Sequence, residues 1–520
     1  MNCLPGRLPE RFLLGALLIV CGNTLAANSP VPVPKSTPLP MNVSPGPGTG
    51  PFLLSTRTFV PLDLGKVGYT EDEYAISGNA NVYDWALDGS LTVKASGPYT
   101  TRILVRHPTD PARFSGTVVV ELNISARRFD WPMIWSYLKE PIVDRGDAWV
   151  GITMPGAVPG LLKYNSARYS ELSFKNPSPG ACPKANAEVE EGLRFDMISQ
   201  VGAALKSGAP GQPLAGFHVQ YLYMTSQLGE ITTYINAIQR HTKTVEGKPI
   251  YDGFLVKALG AQGGPSRINQ CAVAPAKDDP RFLVHDVGVP VLSVTPQSEV
   301  IEAFNARRPD SDAPSDKFRA WEVAGSMHLT LSSYDGMANM VDQAAAGTAQ
   351  GTTEWPFNAR CTPEIAINQN PLEDYIFHAA LYDLDDWVRK GIPPPQAPRI
   401  AVKGSDTPNP TVELDQYGNA IGGVRTFVVD LPVATYFMLS AGPGTCREFG
   451  HTVPFDWGRL ESIYGSYKNY AAKVAESVEQ SVRARWITKS DAQKLMVQLK
   501  VSGEPQTIGP PVSTNGAFRQ

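Results

Sequence analysis

The sequence predicts an α/β fold in which a mostly parallel sheet carries helices on both faces. From residue 116 to residue 259, short β-branched apolar runs alternate with helix-like segments. This alternation is typical of βαβ units, because parallel strands need a crossover connection. Ser226, Glu299 and His328 each follow one of the apolar runs. Since the carboxyl ends of parallel strands meet at one edge of a sheet, we expect these three side chains to form a site there.

The first 26 residues have the pattern of a secretory signal peptide. Arg7 and Arg11 precede an apolar run over residues 12–22, and small residues follow up to Ala27. We predict cleavage after Ala26 or Ala27. The apolar run is shorter than the roughly 20 residues that cross a bilayer, and valine rather than a small residue precedes Cys21, which disfavours a lipoprotein. The sequence therefore predicts a secreted or periplasmic protein without stable membrane insertion.

Composition is that of an ordinary globular protein. The chain has 520 residues, of which 42% are hydrophobic and 18% charged, and its net charge is −4. This length fits one large domain with insertions, or one with a small companion. The charge gives no reason to expect a nucleic-acid partner.

Cysteine usage agrees with export. Removal of the signal peptide leaves Cys182, Cys271, Cys361 and Cys446, an even number that suggests up to two disulfides. Their three possible pairings stay open. The spacings contain no CxxC, and we expect neither a metal nor a cofactor.

The amino-terminal part of the mature chain predicts a linker followed by the core. Residues 27–51 are rich in proline and glycine, which favours a tether or an extended arm rather than a packed element. The α/β core is predicted over residues 52–400, and its opening part, 82–105, predicts short antiparallel edge strands. The elements that follow are predicted as strand 116–122, helix 131–143, strand 148–153, helix 194–205, strand 219–224, helix 230–240 and strands 253–259, 289–294 and 318–325.

Long polar segments interrupt and follow this core. Residues 155–190 are rich in glycine, proline and serine, which predicts a lid-like insertion. An amphipathic helix is predicted over residues 372–390, with Asp383, Asp385 and Asp386 on its solvated side. Residues 401–505 predict an extension that caps or wraps the core, with helices over 459–482 and 490–499. Residues 506–520 predict a flexible tail.

Ser226, Glu299 and His328 have the chemistry of a catalytic triad. A serine hydroxyl is a poor nucleophile at neutral pH and needs a base. His328 would take its proton, and Glu299 would hold the imidazole tautomer. Ser226 alone could simply cap a helix, and Glu302 is an alternative acid. The chain order serine, acid, histidine nevertheless favours catalysis, because it is the order of the α/β-hydrolase triad.

An oxyanion hole requires backbone N–H donors close to the serine. The N–H of Gln227 is the expected first donor. The second is expected from the loop after the strand that ends near Asn123, at Ile124 or Ser125.

Several segments together resemble a family, the secreted bacterial α/β-hydrolase-domain proteins with a Gly-x-Ser-Gln-Ser/Thr-Gly nucleophile turn. The similarity covers roughly residues 52–505. The matching segments are Thr117 to Asn123, Ser226-Gln227, Gln297-Ser298-Glu299, Trp321 to Gly325 with His328, and Asp415 to Arg425. The resemblance implies an α/β-hydrolase fold and supports the roles of Ser226, Glu299 and His328. It does not imply a substrate.

Two positions depart from the family pattern. Met224 stands where the turn normally has glycine, and Leu228 stands where a small side chain is usual. Small residues are favoured there because strand and helix approach closely. The leading hypothesis is a serine hydrolase that cleaves a small-molecule or oligomeric carboxylic ester through an acyl-enzyme. The alternatives are a weakly active or inert binding protein with this fold, and a hydrolase specific for lactones or amides.

Overall fold

A large mixed β-sheet forms the centre of the protein. The computed structural model describes residues 30–42, 46–227, 229–261, 264–276, 278–348, 361–362 and 372–501. Within them, ten strands form one sheet in the order β1-β2-β3-β5-β4-β6-β7-β8-β10-β9. The pairs from β5 through β4, β6, β7 and β8 to β10 are all parallel. The predicted mostly parallel sheet is confirmed, with antiparallel strands added at both edges.

The strands of this sheet are β1 (Lys35–Leu39), β2 (Tyr69–Trp85), β3 (Leu91–Pro108), β4 (Thr117–Leu122), β5 (Ala148–Ile152), β6 (Tyr221–Ser226), β7 (Gly253–Lys257), β8 (Val291–Pro296), β9 (Ser311–Ala313) and β10 (Asp316–Val323). The short pairs β11 (Val402–Lys403) with β12 (Thr411–Val412) and β13 (Ala434–Phe437) with β14 (His451–Pro454) lie outside it. All six residues of β4 and of β8 are buried. This agrees with apolar runs that are covered on both faces.

The helices are α1 (Met133–Arg145), α2 (Val158–Tyr164), α3 (Ser166–Tyr169), α4 (Leu193–Ser207), α5 (Gly229–Thr233), α6 (Met340–Ala345), α7 (Leu372–Lys390), α8 (Phe427–Asp430), α9 (Trp457–Tyr464), α10 (Tyr467–Arg483) and α11 (Lys489–Val501). Side chains of α1 and α7 share one hydrophobic cluster, and those of α4 and α5 share another. The sheet therefore carries helices on both faces, as predicted. None of the helices in the described ranges is both long enough and apolar enough to cross a bilayer.

The linker prediction is wrong for part of residues 27–51. Lys35–Leu39 pair with β2 in antiparallel register, with Pro38 opposite Tyr74. A proline is compatible with this position because β1 is an edge strand. The predicted edge strands over 82–105 are also longer in the structure, where β2 and β3 form one extended hairpin.

The lid-like segment 155–190 divides into two parts. Its first part forms α2 and α3 and lies against the loop after β4, since Gly156 packs on Ser125. Its second part runs along β3, where Ser173 and Thr100 exchange backbone hydrogen bonds of 2.8 and 2.9 Å. A disulfide between Cys182 and Cys271 ties the end of this segment to the loop after β7.

The carboxy-terminal extension wraps the end of β10. Val424 forms a parallel bridge with Val323, and Gly423 approaches β10 so closely that a Cβ would lie 2.5 Å from the carbonyl oxygen of Glu322. Gly423 also has a positive φ of 77°, so glycine is required there. The segment Asp415 to Arg425, one of those that resemble the family, thus holds the extension against the core. A second disulfide, Cys361–Cys446, belongs to the same hydrophobic cluster as the side chains of α1 and α7.

Two predictions about helices are wrong. The helix predicted over 459–482 is two helices, because Gly465 has a φ of 72° and Ser466 caps α10 by accepting from the N–H of Asn469. Asp383 and Asp385 are buried rather than solvated. Asp383 pairs with Arg485 and Asp385 with Arg145. The predicted signal peptide, residues 1–26, and the predicted tail, residues 506–520, lie outside the described residues.

Candidate active site

Ser226 is the last residue of β6 and lies at the carboxyl edge of the sheet. β6 lies between β4 and β7, and α5 begins three residues later at Gly229. The side chain is buried, and its Oγ donates a hydrogen bond of 3.3 Å to the carbonyl oxygen of Leu122. The strand-to-helix setting predicted for Ser226 is therefore present.

The turn at Ser226 lacks the backbone strain that an α/β-hydrolase elbow normally carries. Positive φ occurs among the described non-glycine residues at Leu53, Arg128, Leu214, Ala258, Asp286 and Arg485, and Ser226 is not one of them. Met224 points into the core and is fully buried, in the same cluster as Ile231 of α5. After α5 the chain continues as a π-helix, Tyr234–Ile238. Leu228 lies outside the described residues.

Glu299 and His328 are in direct contact. Glu299 ends a short 3₁₀ turn after β8, and its Oε1 lies 2.8 Å from Nδ1 of His328. The carboxylate is 3% exposed and the imidazole 12%. A carboxylate on Nδ1 favours the tautomer whose Nε2 is a proton acceptor. Glu302, the alternative acid, is exposed.

Gln227 and Glu448 also contact the imidazole of His328. The amide nitrogen of Gln227 lies 3.0 Å from Nδ1 and 3.2 Å from Nε2. A carboxylate oxygen of Glu448 lies 3.8 Å from Nε2. Burial lowers the pKa of His328, but Glu299 and then Glu448 raise it, and the net pKa is above the usual 6.5. The local charge thus favours the protonated imidazole.

The two candidates for the second oxyanion donor differ in their hydrogen bonds. The N–H of Ile124 already donates to the carbonyl oxygen of Trp131 at 3.0 Å, and the N–H of Trp131 donates back to Ile124. These bonds close the loop after β4. Ile124 is therefore unsuited to the role expected from sequence, and Ser125 is the candidate that stays open.

A buried carboxylate in β4 binds the first turn of the helix that follows this loop. Glu121 accepts hydrogen bonds from the backbone N–H groups of Ile134 and Trp135 at 2.7 and 2.8 Å, and from the indole of Trp149 at 3.0 Å. Glu121 thereby caps the amino terminus of α1. Burial raises its pKa to about 7 despite these donors.

The site contains residues that the sequence analysis did not single out. They are Lys257 at the end of β7, Glu373 in the first turn of α7, and Glu448 in the extension. A lysine that ends an otherwise apolar strand was a usable signal for Lys257. No local pattern connects Glu448 with His328, because 120 residues of chain separate them and the contact depends on how the extension wraps.

One group of side chains has the geometry of a cation site, but a lysine already neutralises its carboxylates. Glu140, His378 and Asp491 offer ligand atoms within 4.8 Å of one another. Lys494 pairs with both carboxylates, and His378 contacts Asp491 through Nδ1 and the carbonyl oxygen of Tyr137 through Nε2. A metal would have to displace this ammonium, so we assign no metal to the group.

The parallel sheet, the helices on both faces and the residues at its carboxyl edge define an α/β-hydrolase fold. A family model described as an alpha/beta hydrolase domain matches residues 31–497. The match spans most of the chain, and the protein belongs to this family. No curated protein matches it.

Solved structures with similarity include several esterases. A thermostable esterase from Pseudomonas putida is 13% identical, with a TM-score of 0.28, and the match covers 59% of this chain and 97% of that one. A glucuronoyl esterase from Solibacter usitatus is 10% identical, with a TM-score of 0.27 and coverages of 62% and 88%. A fungal esterase from Rhizomucor miehei is 10% identical, with a TM-score of 0.29 and coverages of 61% and 85%. At these scores the similarity carries no information on substrate.

Proposed function

We propose that the protein is an exported serine hydrolase that cleaves a carboxylic ester through an acyl-enzyme, with Ser226, His328 and Glu299 as its triad and without a cofactor. The observation that carries the proposal is the buried 2.8 Å contact between Glu299 and Nδ1 of His328, at the sheet edge where Ser226 ends β6. The family supports the reaction class.

Acylation in this proposal transfers one proton and forms one bond. Nε2 of His328 takes the proton of Ser226 while Oγ attacks the ester carbonyl carbon. The resulting oxyanion is held by the N–H groups of Gln227 and Ser125. The intermediate then collapses, His328 returns the proton to the alkoxide oxygen, and the alcohol leaves. Ser226 is left acylated.

Deacylation repeats these steps with water as the nucleophile. His328 takes a proton from water, the hydroxyl adds to the acyl carbon, and the proton returns to Oγ of Ser226 as the acid is released. Both halves need the lone pair of Nε2. The side-chain amide of Gln227, now 3.2 Å from Nε2, must therefore move aside when the substrate binds. Catalytic hydrogen bonds often tighten only in the substrate complex.

A fluorophosphonate probe tests the proposal whatever the natural substrate is. We expect stoichiometric labelling of Ser226, and none in Ser226→Ala. On any good ester, Ser226→Ala should lose on the order of 10⁶ in kcat, because triad members act as a unit. Full activity in Ser226→Ala, or labelling of another residue, would remove Ser226 from the mechanism.

A binding protein on the same fold is the second candidate. It is favoured by the unstrained backbone at Ser226 and by the burial of its side chain, whose Oγ donates to the carbonyl oxygen of Leu122. This candidate predicts no labelling by the probe in the wild-type protein. Hydrolysis of lactones or amides would use the same triad, and a panel of matched ester, lactone and amide substrates separates these activities.

A further inference from the structure

A buried ion pair lies at the end of β7, the strand next to the one that ends in Ser226. Lys257 and Glu373 form a salt bridge, and both side chains have 0% exposure. Lys257 ends β7, the strand between β6 and β8, which lead to Ser226 and Glu299. Replacing a buried ion pair by apolar residues is often neutral or stabilising. Stability alone is therefore a poor reason for these two charges.

The pair connects the elements that carry the triad. Lys257 is in register with Val294 of β8, and the next N–H, that of Ala258, donates to the carbonyl oxygen of Val294 at 2.8 Å. Burial raises the pKa of Glu373, whereas Lys257 and, more weakly, the nearby backbone N–H of Met327, the neighbour of His328, lower it. The carboxylate thus holds the ammonium close to the loop that carries His328.

Electrostatic interactions reach the same residues. The charge of Glu299 acts on both Lys257 and Glu373, and the charge of Lys257 acts on His328. The centres of the Tyr137 and Phe377 rings lie 5.1 and 5.5 Å from the Lys257 ammonium, so the ammonium packs against two aromatic rings.

We propose that Lys257 and Glu373 are positioning residues for the contact between Glu299 and His328. Glu373 fixes the ammonium at the end of β7, and the ammonium holds the first turn of α7 against the strands that lead to Ser226 and Glu299. This inference rests on the proposed function, since it assigns the pair to the same site.

Titration of His328 in the full-length protein tests the pair without requiring a substrate. The imidazole is followed by NMR and assigned by comparison with His328→Gln. In Lys257→Met the pKa of His328 should rise, because a cation is lost and the Glu373 carboxylate stays. In Glu373→Gln it should fall, because the ammonium is then uncompensated.

The other charged residues around the site are not substituted in these variants. Glu299 and Glu448 face His328, and Tyr137 and Glu299 face Lys257. Asp374 lies beside Glu373, and burial raises the pKa of Asp374 to about 7. Because Asp374 could titrate together with His328, the two single variants are also compared in an Asp374→Asn background. Opposite shifts in the two single variants support the pair. Shifts of the His328 pKa in the same direction in both variants, or no shift in either variant, overturn it.

A matched control uses the ion pair between Lys206 and Asp252, at 2.8 Å near the start of β7. Lys206→Met should leave the titration of His328 unchanged. If the single variants at the buried pair do not fold, the double variant Lys257→Met with Glu373→Gln keeps the net charge and replaces both partners. At a temperature where circular dichroism shows it folded, the rate of fluorophosphonate labelling should fall roughly tenfold or more, as for misplaced catalytic groups. An unchanged rate overturns the positioning role.

The two proposals fail separately. If wild-type Ser226 does not label, the proposed hydrolase is wrong, while the NMR shifts still report whether the pair acts on His328. If Ser226 labels and the shifts are absent, the hydrolase stands and the positioning role is wrong.

Discussion

At the residue scale, the acid of the candidate triad can be tested by comparing two nearby glutamates. Glu299 contacts His328, whereas Glu302 is exposed. Glu299→Gln should lower kcat by roughly 10⁴, because the imidazole loses its preferred tautomer. Glu302→Gln is the matched control and should retain activity. Damage confined to Glu302→Gln would show that the acid has been misassigned.

The pH dependence of activity has a predicted direction. A general base must be neutral, and the pKa of His328 lies above 6.5. We therefore expect the acidic limb of kcat/KM to lie above pH 6.5. Glu448→Gln removes one of the charges that raise this pKa, so the limb should move to lower pH. The measurement is the pH profile of both proteins on one substrate, and a shift to higher pH would contradict the proposed contact.

The sequence was sufficient to place residues that follow a strand end. The placement of Ser226 and His328 could be predicted because each follows a buried apolar run, and that of Glu299 because it follows the strand between them along the sheet edge; their catalytic roles stay proposals. Glu448 could not, since its contact depends on the path of a long extension. Ile124 failed for a local reason: the bridge that closes its own loop uses its N–H.

At the scale of single elements, the turn between β6 and α5 makes the strongest test of the departures from the family pattern. Met224 is fully buried. Ser226 does not have a positive φ, so its backbone holds no strain that a smaller residue at position 224 could relieve. Met224→Ala should therefore destabilise the protein by about 2–5 kcal/mol through a cavity, without raising kcat. Denaturant unfolding and kinetics on one ester measure both effects.

The double variant Met224→Gly with Leu228→Ser extends this test. We expect loss of stability and no gain in turnover. A rise of roughly tenfold or more in kcat, about 1.4 kcal/mol in the barrier, would indicate a degraded site and would favour the binding protein.

Element boundaries were predictable where apolar periodicity was strong. α7 begins and ends at the predicted residues, and β4 and β7 were found within two residues. The buried aspartates of α7 were misjudged because their partners, Arg145 and Arg485, come from distant parts of the chain. Charge on a helix face indicates solvent only when no other element covers that face.

At the scale of the whole molecule, the two disulfides and the predicted signal peptide together make one testable prediction. The structure pairs Cys182 with Cys271 and Cys361 with Cys446. Mass spectrometry of protein recovered after export should show no free thiol, these two linked peptides, and a first residue at Ala27 or Asn28. Four alkylatable cysteines in the native exported protein would contradict it. Loss of either cross-link should cost roughly 4 kcal/mol of stability, as expected for loops of this length.

The short strand β1 has a consequence for how separate molecules behave toward one another. β2 is 17 residues long, and without a neighbour its outer side would offer a row of backbone donors and acceptors to other chains. Lys35–Leu39 occupy part of that row, from Glu73 to Ser77, and Pro38 gives β1 an outer side that cannot extend the ladder regularly. A segment that resembles a spacer in sequence thus shields the sheet from self-association.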